Sequence, residues 1–315
     1  MPVVSGRRAG IDVGGTKCLG VVWHDGKIDL EIRRDTPKGA DDIIETLVSM
    51  IRELGEVDSV GIGVPGLVTR QGVLRAAPNL VDIADFAVGP ILQNVLQREI
   101  AIENDATCAA VAEWSVGAAQ GVDDVVVVTL GTGIGGGLVS GGRLVRGTNG
   151  FAGEIGHMVV DPSGPKCVCG QRGCWERYAS GNGLAYLGTL AAERGQAHMV
   201  QTLAGGIAGI RGEHIREAAL LGDHEALAIV DEFARWVAIG LSNLTNLLDP
   251  SMIVIGGGLA GSGDLFLQPI QRWFGDLLYS PELRPHPKLV LAKFAEYAGA
   301  IGAALLPKYA HLSEI

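Results

Sequence analysis

The chain has 315 residues, about twice the length of a common domain, so two cores are expected. Its formal net charge of −10 argues against nucleic acid as a partner, since phosphate binding needs a basic face. No apolar run approaches ~20 residues, so no membrane-spanning helix is predicted and a soluble cytoplasmic protein is expected.

Arg8–Val13 reads as a short buried strand, followed by Gly14-Gly15-Thr16-Lys17 and a second strand over 18–23. Two strands joined by a glycine turn make a hairpin. A third strand, 28–34, follows Asp25-Gly26. A helix is predicted over 41–54, with Ile43, Ile44, Leu47 and Ile51 on one face. Ser59–Val64 is a buried strand ending at Pro65-Gly66, and 90–98 is a short helix with proline in its first turn. A strand over 100–103 leads through Asn104-Asp105 into an alanine-rich helix, 106–116.

The pattern then restarts. Residues 124–130 form an apolar strand ending in the glycine run 131–137, with further strands at 138–140 and 143–146. The order repeats that of residues 8–34, which points to a structural duplication. A long helical region covers 183–248, with breaks near Gly205-Gly206 and Gly222-Asp223. A strand over 251–255 ends at Gly256-Gly257-Gly258. A helix over 264–278, a strand over 289–293 and a helix over 298–309 follow.

Three glycine turns, 12–16, 131–137 and 256–258, each follow an apolar strand. Backbone N–H groups in such turns can converge on phosphate oxygens. No Walker loop is present. The turn at Gly131 is followed by strand rather than helix, which disfavours a dinucleotide fold.

Cys167, Cys169 and Cys174 sit within eight residues, and His157 lies ten residues upstream. These four are the donor set of a closed tetrahedral zinc site. Cys167 and Cys169 are too close in sequence for an unstrained mutual disulfide. An odd count of five cysteines and the expected lack of a secretory leader also argue against an oxidising compartment. Cys18 and Cys108 read as core thiols. Glu154 and Glu176 flank the cluster, so a metal knot here would fix two carboxylates for polar recognition.

Asp12-Val-Gly-Gly-Thr-Lys17, Asn104-Asp105, the run from Leu130 to Gly137, Glu154-x-Gly-His157, the cysteine cluster with Glu176 and Ile255-Gly-Gly-Gly258 come in one order over most of the chain. Together they resemble the ROK family, which contains repressors and sugar kinases, and within it the glucose-phosphorylating members of actinobacterial type. The resemblance implies an α/β protein of the actin-like, hexokinase-like ATPase fold, with two α/β domains around a cleft. The first domain would be 1–117 joined by the closing helix 298–315, and the second 118–297.

The same resemblance implies ATP-dependent phosphorylation of a hexose at its 6-hydroxyl, D-glucose first, by a homodimer or dimer of dimers. From sequence physics alone Asp105 reads as a helix N-cap; the resemblance makes it the base for the sugar hydroxyl. Gly66, Asn79, Asn104, Glu154, His157 and Glu176 are carried over to the sugar, with His157, Cys167, Cys169 and Cys174 on a structural Zn²⁺. Asp12 is carried over to the neighbourhood of Mg²⁺. Gly14, Gly15, Thr16, Lys17, Thr132 and Gly133 go to the phosphates, and Gly256, Gly257 and Gly258 go beneath adenosine. A repressor would carry a helix-turn-helix before the first strand, and only about eight residues are expected there. A non-catalytic sugar-binding module would have no use for three phosphate turns. Mannose, an N-acetylhexosamine, fructose or a cyclitol remain rival acceptors, and polyphosphate a rival donor.

Overall fold

The computed structural model describes residues 6–76 and 84–309. Its first elements are β1 (Arg8–Val13), β2 (Lys17–His24), β3 (Lys27–Asp35), α1 (Ala40–Glu53) and β4 (Ser59–Val64). Three short strands follow, β5 (Leu67–Val68), β6 (Leu74–Ala76) and β7 (Ala84–Phe86), then α2 (Val88–Leu96), β8 (Ala101–Asn104) and α3 (Asp105–Ser115). Next come β9 (Val125–Leu130), β10 (Ile134–Ser140) and β11 (Arg143–Leu144). A helical stretch holds α4 (Glu176–Ala179), α5 (Gly181–Glu193), α6 (His198–Ala204), α7 (Gly212–Leu220) and α8 (His224–Leu248). The chain continues with β12 (Met252–Gly256), α9 (Asp264–Leu277), β13 (Lys288–Leu291) and α10 (Ala298–Leu305).

Two five-stranded sheets carry the fold, ordered β3-β2-β1-β4-β8 and β11-β10-β9-β12-β13. Each places its third strand at one edge, then its second and first, then two later strands, so the duplication seen in the sequence is present in the topology. In the first sheet the β1–β2 and β2–β3 pairs are antiparallel, whereas β1–β4 and β4–β8 are parallel. A hairpin needs only a turn, but a parallel return needs a crossover, which α1 and α2 supply. The small sheet β5-β6-β7 has no counterpart in the sequence reading, because strands this short carry too few residues to show alternation.

The residues cluster into two compact units. One comprises Met1–Val127, Gly136–Gly153 and Glu296–Ile315, the other Val128–Gly135 and Glu154–Ala295. In the first, Ile43, Leu47, Met50 and Ile51 of α1 are buried in one cluster with Ile11, Val22 and Ile62 of the sheet. Each large apolar side chain removed from water in this way contributes roughly 2 kcal/mol. Helix α10 approaches its neighbours through glycine. A Cβ on Gly10 or Gly61 would stand 1.9 Å from the carbonyl oxygen of Ala300 or Ala303, and one on Gly302 would stand 1.6 Å from that of Cys108. In the second unit α8 buries Phe233, Val237, Leu241 and Leu244. Leu227 and Leu248, which continue the same helical spacing at either end, are exposed.

The glycine run 131–137 is a turn only over its first half. Residues from Ile134 onward are strand β10. A Cβ on Gly137 would stand 2.3 Å from the Cβ of Ala110, so this glycine admits helix α3 rather than a turn. The helical region also breaks at Gly195, whose φ of 71° suits glycine, in addition to the expected breaks.

Candidate functional site

In the first unit the candidate side chains lie at the carboxyl ends of parallel strands, where open α/β sheets hold their ligands. Strand β1 ends at Asp12-Val13 and turns through Gly14, Gly15 and Thr16. The Gly14 N–H donates to the Lys17 carbonyl at 2.8 Å, and the Thr36 hydroxyl donates to the Gly14 carbonyl at 2.7 Å. Gly15, Thr16 and Lys17 are exposed. Asp12 is held deeper. Its Oδ1 is buried without a hydrogen-bond partner among the described residues. Burial, and then the nearby Asp105, push its carboxyl up to about 7. Two glycines make room for this carboxylate. A Cβ on Gly299 would stand 2.5 Å from Asp12 Oδ2, and one on Gly63 would stand 3.5 Å from Asp12 Oδ1 and 3.4 Å from the Asp105 Cα.

Strand β8 delivers Asn104 and Asp105. The N-cap of α3 is Asn104, whose Oδ1 accepts the Thr107 N–H at 3.0 Å. Its Nδ2 donates to the Gly66 carbonyl at 3.2 Å, which brings two predicted sugar residues together. Asp105 is therefore not the cap. It is the first helical residue, with its Oδ1 accepting the Ala106 N–H at 2.8 Å. At this end of the helix a carboxylate is favoured by the aligned peptide dipoles. Asn79 lies outside the described residues.

In the second unit the turn at Gly131 meets three other elements. The Gly181 N–H at the start of α5 donates to the Gly131 carbonyl at 2.7 Å. A Cβ on Gly257, which has φ 84°, would stand 2.5 Å from the Leu130 carbonyl oxygen. A Cβ on Gly133 would stand 2.6 Å from Glu176 Oε2. The turns carrying Thr132-Gly133 and Gly256-Gly257-Gly258 thus adjoin one another, with the Glu176 carboxylate beside the first.

Glu154 precedes a single 3₁₀ turn, Ile155–His157. That turn packs tightly: a Cβ on Gly156 would stand 2.3 Å from the Ile134 carbonyl oxygen. His157 Nε2 lies 3.9 Å from Glu154 Oε2, and Nδ1 lies 3.7 Å from Glu176 Oε1. Burial pushes the Glu154 carboxyl up, and Glu176 adds to this, while His157 opposes it.

The ligand atoms of His157, Cys167, Cys169 and Cys174 all lie within 4.8 Å of one another. Cys169 and Cys174 sulfurs are 3.5 Å apart, and Cys167 Sγ is 3.7 Å from His157 Nδ1. Donors at zinc bond lengths in a tetrahedron stand roughly 3.5–3.8 Å apart, so the donor set suits a small tetrahedral cation. The knot is closed by a backbone bond and a tightly seated glycine. Cys167 N–H donates to the Gln171 carbonyl at 2.8 Å, and Gly173 has φ 66° in a place where a Cβ would stand 1.6 Å from the Asp161 carbonyl oxygen. Trp175, wholly buried, donates through Nε1 to the Trp236 carbonyl at 2.8 Å and fills the notch at Gly240 of α8.

The sequence reading missed Gly63, Gly299, Glu103 and Arg146. A glycine inside a strand or helix interior is a signal of close approach, and Gly299 in an otherwise alanine-rich helix carries it. Glu103 and Arg146 gave no signal, since each looks like an ordinary charged residue until the fold brings them together.

Two like-ordered five-stranded sheets with glycine turns at their strand ends, two close carboxylates in one unit and a thiol–imidazole knot in the other belong to a protein of the hexokinase-like ATPase fold. A comparison with known families agrees: residues 8–310 match the ROK family, and the chain belongs to it. Glucokinase from Streptomyces coelicolor is 38% identical over 314 residues, covering 96% of this chain and 98% of that protein. N-acetyl-D-glucosamine kinase from Pectobacterium atrosepticum is 36% identical, covering 94% of this chain and 97% of the relative. Among solved structures, a ROK family glucokinase from Streptomyces griseus in complex with glucose and AMPPNP has a TM-score of 0.86 at 38% identity. It covers 96% of this chain and 99% of that one. No helix among the described residues is long and apolar enough to cross a membrane.

Proposed function

We propose that the protein transfers the terminal phosphoryl group of ATP to the 6-hydroxyl of a hexose, with D-glucose as its first substrate. The observation that carries this reading is the pair of carboxylates at the strand ends: Asp105 at the start of α3, and Asp12, whose buried Oδ1 has no partner among the described residues and beside which Gly63 and Gly299 leave room. Asp105 accepts the proton of the sugar hydroxyl. Its ionised form is a weak base, but in a loose transition state the hydroxyl loses its proton late, so aim matters more than basicity. Asn104 has one amide hydrogen left after bonding Gly66 and offers it to the sugar. Glu154 and Glu176 accept from sugar hydroxyls, and His157 uses Nδ1 for the metal and Nε2 for the sugar. The glycine turns offer N–H groups to the phosphates without crowding them.

Asp12 is suited to hold Mg²⁺ through water, as a hard oxygen donor whose Oδ1 has no hydrogen-bond partner among the described residues. When bound, Mg²⁺ neutralises charge developing on the transferred group. His157, Cys167, Cys169 and Cys174 are suited to Zn²⁺, which supplies structure rather than chemistry because four protein donors leave no open position.

A coupled assay with purified protein tests the reading, using glucose, mannose, fructose and N-acetylglucosamine against ATP and polyphosphate. Glucose with ATP should give the highest kcat/KM. A higher value for N-acetylglucosamine would move the assignment to the N-acetylhexosamine kinases, and no transfer to any sugar would overturn it.

A further inference from the structure

Glu103, immediately before Asn104-Asp105, is wholly buried in the first unit, with 1% of its side chain exposed, and Arg146 beside it is 11% exposed. A carboxylate taken out of water this far is costly unless paired and hydrogen-bonded. The carboxylate is paired at one oxygen and hydrogen-bonded at the other; the contact at Oε2 is an ion pair without hydrogen-bond geometry. Glu103 Oε2 pairs with the Arg146 Nε, and Oε1 accepts the backbone N–H of Asn104 at 2.9 Å. Burial pushes the Glu103 carboxyl up, while Arg146 and the Asn104 N–H hold it down. The loop that carries Arg146 is tied to the same unit elsewhere: Arg70 Nε donates to the Gly147 carbonyl at 3.0 Å. A Cβ on Gly150 would stand 2.5 Å from the Val68 carbonyl oxygen.

The bond to Asn104 matters because of what Asn104 does. It caps α3 and grips Gly66, so the orientation of its peptide sets where Asp105 begins the helix. We infer that Arg146, acting through Glu103, is a positioning residue that fixes the Asn104-Asp105 turn for phosphoryl transfer. The inference rests on the reading of Asp105 as the base. Arg146 pairs with the Glu103 carboxylate, and that carboxylate holds the peptide. A displacement of the order of an ångström at a catalytic group can cost about a hundredfold in rate.

Arg146 also lines a cavity of about 610 Å³ in the same unit, together with Arg70, Arg98, Ile102 and Tyr309. A small cation can therefore reach the place its guanidinium would vacate, which gives the test its discriminating arm. Arg146→Ala should lower kcat with glucose by about a hundredfold and change the ATP KM by less than about twofold. Guanidinium ion at tens of millimolar should restore at least about a tenth of the wild-type kcat, whereas equal sodium chloride should not.

Breaking a buried pair from one side can unfold the protein, so a second variant removes both partners. Glu103→Met/Arg146→Met replaces the pair by apolar groups of similar size, a change often neutral for stability. It should keep the wild-type Tm within a few degrees and still lose kcat, since the Asn104 N–H has lost its acceptor. Asp105→Asn in the same assay separates the two readings. If Asp105→Asn is inactive and the double variant turns over within about twofold of wild type, the ion pair is only structural and the inference fails. A folded Arg146→Ala with wild-type kcat, or one whose lost activity guanidinium leaves unchanged, overturns it equally. If Asp105→Asn is itself active, the base assignment falls and the inference falls with it.

Discussion

At the scale of single residues, two carboxylates close enough to affect one another stand in different surroundings. Asp105 lies at a helix start with a backbone partner, whereas Asp12 lies in a pocket cut by Gly63 and Gly299. Replacing Asp105 by Asn retains an oxygen for the Ala106 N–H and leaves the Asn104 cap untouched, so Tm should change by no more than a few degrees. Turnover should fall by at least about a thousandfold, a general base being worth roughly 10²–10⁴; steady-state kinetics showing a loss under tenfold would remove Asp105 from the chemistry. Asp12 makes a prediction about stability. Its folded pKa of about 7 lies above the ordinary aspartate value of 3.8, so between the two the folded state holds a proton that the unfolded state gives up. Stability from this group is full below about pH 4. It is lost as pH rises towards about 7, by about 1.4 kcal/mol for each pH step of one across that window. Asp12→Asn removes that loss. Melting curves of the ligand-free proteins should coincide near pH 4 and favour the variant near pH 8; a variant no more stable than wild type at pH 8 would contradict the burial argument. The same variant should lose kinase activity, since it forfeits the anionic oxygen for the metal.

At the scale of elements, the strands and helices with strong periodicity stand where the sequence places them. β1, β4 and α1 have apolar residues at the spacing their burial requires, and their ends agree to within a residue or two. The turn sites were legible for a related reason: glycine after an apolar strand means a backbone that something approaches. That signal does not say what approaches. Gly131 and Gly133 serve a turn, while Gly137 serves the packing of α3, and composition alone treats them alike. The cysteine knot was legible because thiols at this spacing have few other uses. The buried Glu103–Arg146 pair was not, because its partners are 43 positions apart and each side chain is polar. The role of Asn104 as cap was also hidden, since either Asn104 or Asp105 satisfies the preference for a short polar side chain before a helix. The knot carries an element-level prediction. Cys169→Ser should bind less than one metal per chain by elemental analysis and raise the glucose KM by at least about tenfold, because Glu154, His157 and Glu176 lose their common anchor. A metal-free variant with the wild-type KM would separate the knot from recognition.

At the scale of the whole molecule, the chain holds two units with separate cores and uneven means of support. The first is held by apolar packing of α1 and by the glycine-lined seating of α10 on β1, β4 and α3. In the second, residues 154–176 contain little regular structure beyond one 3₁₀ turn and two isolated bridges, Val159 with Cys174 and Lys166 with Arg172. Such a segment has few backbone ladder bonds to keep it closed, so a cation held by its four donors would supply a large share of its local stability. Without metal, burial holds the Cys167 thiol protonated, and binding must displace that proton. Removal of metal by a strong chelator should therefore act on one unit far more than on the other. Amide hydrogen exchange should speed up first in residues 154–180 and then at the N-terminal end of α5, which is hydrogen-bonded to the turn at Gly131. Exchange in β1, β4 and α10 should stay within about threefold of the untreated protein, because none of their bonds depends on the knot. Uniform acceleration along the chain would mean that the two units share one cooperative transition, and unchanged exchange in 154–180 would mean that the knot is held by Trp175 and its neighbours alone.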